Sequence, residues 1–142
     1  MMPTQRLLRE GRLRPREREL PRIRSMLKSA EMNARIATGM PITGETSTLI
    51  FREVYESIRQ LGDARWWLAG YEPRDHEASI EALQDADVKE KVLLHRLSRF
   101  KRIRHDINYR GFLANEAQAR EIAEFWGLCG KEILGQLQKE VK

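Results

Sequence analysis

S-T-L-I-F-R-E-V-Y-E-S-I-R-Q-L-G-D-A-R-W-W-L-A-G, residues 47–70, carries the clearest periodicity in the chain. Ile50, Val54, Ile58, Leu61 and Leu68 return at helical steps with Tyr55 beside them, the spacing of one helix face and not the alternation of a strand. Thr46 and Ser47 are capping candidates at its start and Gly70 is a C-terminal stop, so a helix of about six turns is predicted. Trp66 and Trp67 fall in its last turns. Neighbouring positions on a helix point roughly 100° apart, so the two indoles cannot enter one core. One of them is expected to cover a neighbouring helix or a partner subunit.

Upstream, Pro21 suits the opening position of a helix running to about Thr38, with Ile23, Met26, Leu27, Ala30, Ala34 and Ile36 on its apolar face. The loop G-M-P-I-T-G-E-T-S-T joins it to the second helix. Downstream of Y-E-P-R-D, a short helix is predicted over residues 75–84 and broken by Asp85 to Asp87. A further helix carries Val92, Leu93, Leu97, Phe100, Ile103 and Ile107 within an arc of roughly 140° and ends near Gly111. Asn115 and Gln118 form a capping-box pattern before a closing helix with Ile122, Phe125, Trp126, Cys129, Ile133, Leu134 and Leu137 on its inner face. Four substantial helices and a short one, without a strand pattern or internal repeat, predict an all-α, up-and-down four-helix bundle with an additional short helix. One domain over residues 21–142 is expected, a length that suits a single hydrophobic core.

Residues 1–20 are interrupted by Gly11 and Pro15 and do not suit one continuous helix. Residues 1–24 hold eight arginines against three glutamates, whereas the other 118 residues of the 142 balance their charges, so the net charge of +5 belongs to this basic N-terminal arm. Two readings stand for it: a phosphate-holding arm whose contacts weaken with salt, or a solvated terminus.

Hydrophobic residues make up 41% of the chain and charged residues 33%, a composition that favours folding over disorder. Apolar runs are far shorter than the ~20 residues that cross a bilayer, and no apolar signal-peptide core follows the arginines. The expected location is therefore the cytoplasm, without membrane association. Cys129 has no cysteine to pair with, and His76, His95 and His105 are scattered, so neither a disulfide framework nor a metal centre is expected. No glycine-rich phosphate loop, H-E-x-x-H or nucleophile-and-base pair appears, and no cofactor is expected.

Three segments in order carry a family likeness: R-E-V-Y-E-S-I-R-Q-L-G-D-A-R-W-W-L-A-G-Y-E-P-R-D-H, K-R-I-R-H-D-I-N-Y-R-G, and N-E-A-Q-A-R-E-I-A. Together they resemble the HEPN family of nucleotide- and RNA-associated helical domains. Gly70, Pro73 and His76 match that family's helix end, proline-containing turn and histidine. Members that cut RNA carry an arginine, often a polar residue directly after it, and a histidine four to six positions on that does acid or base work. Carried over, Arg104 takes the arginine position, His105 the polar one, and Tyr109 stands where the histidine would be. A phenol with a pKa near 10 is a poor base at neutral pH, so the ribonuclease motif reads as degenerate. The register Arg99 to His105 also fits the spacing, but the I-N-Y-R-G ending supports Arg104. The resemblance implies a self-pairing module that binds RNA, a nucleotide or a minimal nucleotidyltransferase partner, as in toxin–antitoxin systems. An active metal-independent endoribonuclease and a purely structural interaction bundle are the alternatives.

Arg104 lies at the edge of the apolar arc, where its planar fork could hold a phosphate in a cleft between two subunits or instead pair with a carboxylate such as Asp106. Lys91, His95, Arg99 and Arg102 form a separate stripe at helical spacing, readable as RNA-backbone contacts or as a solvated face, and Arg110 extends the basic character toward Gly111.

Overall fold

A computed structural model describes residues 2–142. The elements run in the order α1 (Thr4–Arg9), β1 (Leu13–Pro15), α2 (Leu20–Thr38), α3 (Ser47–Leu68), β2 (Tyr71–Pro73), α4 (His76–Glu81), α5 (Arg96–Arg110), α6 (Glu116–Phe125) and α7 (Lys131–Glu140). A 3₁₀ turn over Lys91–His95 leads into α5, and a π turn over Trp126–Gly130 joins α6 to α7. The molecule is mainly helical, and no helix among the described residues is long and apolar enough to cross a membrane.

The predicted six-turn helix is α3, and it is the axle of the fold, packed against α2, α4, α5, α6 and α7. Ile50, Val54, Ile58 and Leu61 are almost completely buried in the main core with Phe51, Phe100 and Phe125. Phe100 stands edge-on to both of those rings, at 6.0 Å from Phe51 and 5.5 Å from Phe125, the geometry that ring quadrupoles favour. The two adjacent tryptophans part as their angular separation requires. Trp67 joins the main core, while Trp66 enters a second, smaller cluster with Leu7, Leu13, Ala78 and Ala82. There its indole N–H donates to the Ala78 carbonyl at 2.7 Å, so burial leaves no polar atom unsatisfied.

The second cluster shows what the N-terminal residues do. Leu7 is fully buried and Leu13 nearly so, and β1 pairs antiparallel with β2 in the register Leu13↔Pro73, Arg14↔Glu72 and Pro15↔Tyr71. This short sheet lies outside the all-helical expectation, because three-residue strands are too brief to display an alternating pattern. Residues 2–20 are thus folded onto the body. Arg6 pairs with Glu10 and Glu81, Arg12 with Glu10 and Asp75, and both Arg14 and Arg16 with Glu72, which turns much of the basic surplus toward carboxylates.

Other boundaries differ for local reasons. The helix expected from Val92 starts at Arg96, and Val92 is 77% exposed instead of joining the core stripe. The short helix expected over residues 75–84 closes at Glu81 and continues as turns. Thr46 does not cap α3; its hydroxyl turns back to the Pro41 carbonyl at 2.7 Å. The Asn115 capping box is present in both directions, with Asn115 Oδ1 accepting from Gln118 N at 2.8 Å and Gln118 Oε1 accepting from Asn115 N at 3.0 Å. Gly111 ends α5 in the left-handed region at φ 69°.

Candidate functional site

Polar groups concentrate where α3, α4 and α5 meet. Glu56, Arg59 and Asp63 stand at i, i+3 and i+7 on α3, one helix face. Arg59 donates from Nε to Glu56 Oε2 at 3.0 Å and from Nη1 to Asp63 Oδ2 at 2.6 Å, while its Nη2 reaches Glu56 Oε1. The Ser79 hydroxyl of α4 donates to the other Asp63 oxygen. Burial pushes the Asp63 carboxyl above its ordinary pKa, against the pull of Arg59 and Ser79. This network can form only because α4 approaches the α3 backbone directly at Gly62. A Cβ there would lie 1.9 Å from the Ser79 carbonyl oxygen.

Arg104 enters the same junction from α5. It is half-buried, and its guanidinium carbon lies 5.7 Å from the centre of the Tyr55 ring. With the Asn108 amide turned so that its oxygen faces the guanidinium, that oxygen accepts from both Nε and Nη2 of Arg104 at 3.3 Å. Among the described residues no carboxylate pairs with Arg104: the ion pair considered with Asp106 is absent, and Asp106 instead stands 3.9 Å from Arg110. Burial pushes the Tyr55 phenol up to about 12, against the nearby charges of Arg104 and Arg59. His76, the first residue of α4, has its pKa lowered by burial, then by the positive charges of Arg59 and Arg104, with Glu56 and Asp63 opposing. His76, whose charged form is disfavoured, thus stands near Arg104, a guanidinium without a carboxylate, and near Arg59, whose charge is offset by Glu56 and Asp63.

An open cavity of about 380 Å³ is lined by Glu77 of α4 and by Ser98, Lys101, Arg102 and His105 of α5. His105 is exposed, and its ring lies 4.8 Å from that of Tyr109, which is 73% exposed. Of the motif residues only His105 is among those lining this cavity, with Arg102 beside it; Arg104 and Tyr109 are not.

The remaining basic residues scatter. Arg99 ties α5 to α6 through Glu121, as Arg96 does through Glu124 at 2.7 Å. Lys91 and His95 line a different cavity, of about 480 Å³, with Gln84, Asp85 and Leu94. The expected stripe of Lys91, His95, Arg99 and Arg102 is therefore divided by ion pairing across helices, which a single-helix wheel does not display. Arg110 stands clear of the groove at the end of α5, 5.8 Å above the Phe112 ring. Tyr55, Arg59, Asp63, Ser79 and Asn108 were missed as site residues. The Glu56, Arg59, Asp63 spacing was the available signal for part of this set, whereas its junction with α4 depends on packing. No cluster of His, Cys, Asp and Glu suited to a metal occurs among the described residues. Comparison with family models, with curated proteins and with solved structures finds no match for this chain.

Proposed function

We propose that the chain is a HEPN-like module whose Arg104 holds a phosphate of RNA or a nucleotide, with little catalysis of its own. In this reading α2, α3, α5 and the continuous α6–α7 form an up-and-down four-helix bundle, α4 is the extra short helix, and two copies pair. The observation that carries it is the state of Arg104: a half-buried guanidinium fixed by an aromatic ring and an amide, and lacking a carboxylate. An arginine kept purely for structure would be expected to find an acidic partner, as Arg12 and Arg59 do. Tyr109 at the histidine position supports binding over cleavage. A minimal nucleotidyltransferase as partner, a toxin–antitoxin setting and a cytoplasmic location follow from the resemblance.

The test is titration of fluorescent RNA at low salt with the intact protein and with Arg104→Ala. Loss of about 2 kcal/mol of binding is expected for one charge-assisted phosphate contact. Equal affinity for the two proteins removes the site.

A second reading, metal-independent endoribonuclease activity, draws on His76, whose lowered pKa leaves a neutral imidazole near Arg104 at physiological pH. It requires RNA cleavage in the presence of a chelator that His76→Ala or His105→Ala abolishes.

A further inference from the structure

Helices α2 and α7 meet along a seam that the phosphate reading leaves unused. They run antiparallel there: Arg24 Nε donates to the Val141 carbonyl at 3.0 Å, and further along Gln138 Nε2 donates to Glu31 Oε2 at 3.1 Å. Two open cavities of about 390 and 270 Å³ follow one another on the seam, and Glu31 lines both. Leu27 and Val141 give the first an apolar lining, and Trp126 and Leu134 do so for the second. The rim is basic. Arg24, Lys28 and Arg35 share one face of α2 at steps of four and seven residues, a rise of about 16 Å, and Lys131 faces them from α7. Glu31 is the only acidic side chain lining either cavity among the described residues. Lys28, Arg35 and Lys131 are exposed and have no carboxylate partner among those residues, unlike the paired arginines of the N-terminal segment. Met32 and Ile36 follow Lys28 at steps of four and are 43% and 58% exposed, which widens the apolar area on the α2 side. On α7, Gly135 shares a face with Lys131 and Gln138 at steps of four and three, and a side chain built there would meet nothing within 4 Å. Glycine inside a helix costs stability, so an open glycine beside the seam suits a backbone brought close from outside.

We infer that the α2–α7 seam docks an acidic amphipathic helix of a partner protein, its apolar edge over the two cavities and its carboxylates on the basic rim. The inference does not rest on the Arg104 reading and stands apart from it. Charge complementarity selects the occupant: Arg24, Lys28, Arg35 and Lys131 call for several negative groups spread over the same three turns. A helix supplies them on its flanks while apolar anchors at i, i+4, i+7 and i+11 point into the seam. A second copy of this face would set cations against cations. A nucleic-acid backbone would satisfy the rim but brings no apolar edge to Leu27, Trp126, Leu134 and Val141. A membrane surface is broad, whereas these four residues are nearly buried between two helices and are reached only by a narrow group. Gly135 is on this reading a positioning residue that lets the partner backbone approach α7.

The experiment selects binders to the intact protein, at physiological salt, from a displayed library of helical peptides of about 14 residues. Leucine is fixed at i, i+4, i+7 and i+11, and every other position is free to be Glu, Lys or Ala. Selected peptides are expected to be rich in Glu. The tightest is then titrated by fluorescence anisotropy against the parent and two variants, Gly135→Leu and the double variant Lys28→Glu with Arg35→Glu. Each variant is expected to weaken it about tenfold or more, the first by filling the space beside α7 and the second by reversing the rim. Unfolding midpoints check that both variants fold, which is expected because the changed positions contact little of their own chain. A selection that yields no binder, or binders rich in Lys, overturns the inference. So does a Glu-rich peptide that both variants bind as well as the parent does, because it then occupies another surface. Short RNA strands and phosphatidylglycerol vesicles are tested in parallel. If the double variant weakens one of these while no peptide binds, the seam belongs to that partner and the helix is overturned.

Discussion

Arg12 grips Asp75 with two nitrogens, Nε to Oδ2 at 2.8 Å and Nη2 to Oδ1 at 3.1 Å, while the same Oδ1 accepts the Ala78 amide of α4 at 2.8 Å. One carboxylate therefore both caps α4 and anchors the N-terminal segment. The next residue, His76, belongs to the corner around Arg104 and Arg59, so the basic N-terminus bears on the site through the orientation of α4. Removing the guanidinium leaves the cap in place but frees the segment that shields Trp66. Arg12→Ala is expected to lower stability by about 1–2 kcal/mol, a partly exposed bidentate pair being worth more than a surface pair. Urea unfolding checks this, and tryptophan emission should shift to the red as the indole meets water. Unchanged stability and emission would show that the pair merely decorates the surface.

The same contact makes a pH prediction. Hydrogen bonding to Arg12 holds the Asp75 carboxyl below the usual carboxylate range, burial working against it, with the backbone of Ala78 assisting. A carboxylate whose folded pKa is depressed contributes stability that is complete above its unfolded pKa, about 3.9. That contribution is lost as the pH falls from there through the folded value. Asp75→Asn is expected to be less stable than the parent at pH 7 and to lose less stability than the parent on acidification below about pH 4. Parallel stability curves for the two proteins across this range would contradict it.

Gly62 is the point at which α3 and α4 touch backbone to backbone. With a Cβ placed 1.9 Å from a carbonyl oxygen, and no flexible side chain available to yield, α4 itself must move. Gly62→Ala is accordingly expected to cost about 3 kcal/mol despite alanine's higher helix propensity, which at an unconstrained site would make the change favourable by roughly 1 kcal/mol. Chemical unfolding reads the sign directly. Displacement of α4 would also part Ser79 from Asp63 and shift His76 relative to Arg104, so on the proposed phosphate reading weaker RNA binding is expected to accompany the lost stability.

The helical character of the molecule was legible because its long helices carry apolar faces at a fixed period, and α3 does so over its whole length. Asn115 and Gln118 revealed the start of α6 for a similar reason: the capping box is written in four adjacent residues. The N-terminal packing was not legible. The Leu7–Leu8 pair and Leu13 are short apolar interruptions among arginines, and the burial of Leu7 and Leu13 is against Trp66, which lies more than fifty positions away. The candidate site divides along the same line. Arg104, His105 and Tyr109 are close in sequence and could be read from one helix. Arg59, Asp63 and Ser79 join them only through the approach of α4 at Gly62, a contact between backbones that side-chain patterns do not record. The ion pair of Arg99 was not legible either, because its partner, Glu121, belongs to another helix.

His76 offers an internal gauge of whether the corner functions as a phosphate site. Its pKa is lowered first by burial and then by Arg59 and Arg104, so the three influences separate by mutation. In the parent protein the imidazole is expected to titrate below its ordinary value of about 6.5 when followed by NMR of the ring protons. Arg104→Ala removes one positive charge and leaves the burial, so the pKa is expected to rise part of the way back. Adding RNA to the parent acts in the same direction, since a bound phosphate favours the imidazolium that the two guanidiniums oppose. The sign is therefore the discriminating feature: a phosphate in the corner raises the pKa, whereas an uncharged occupant that only excludes water lowers it further. A His76 titration that ignores both Arg104→Ala and RNA would remove this corner as the proposed phosphate site.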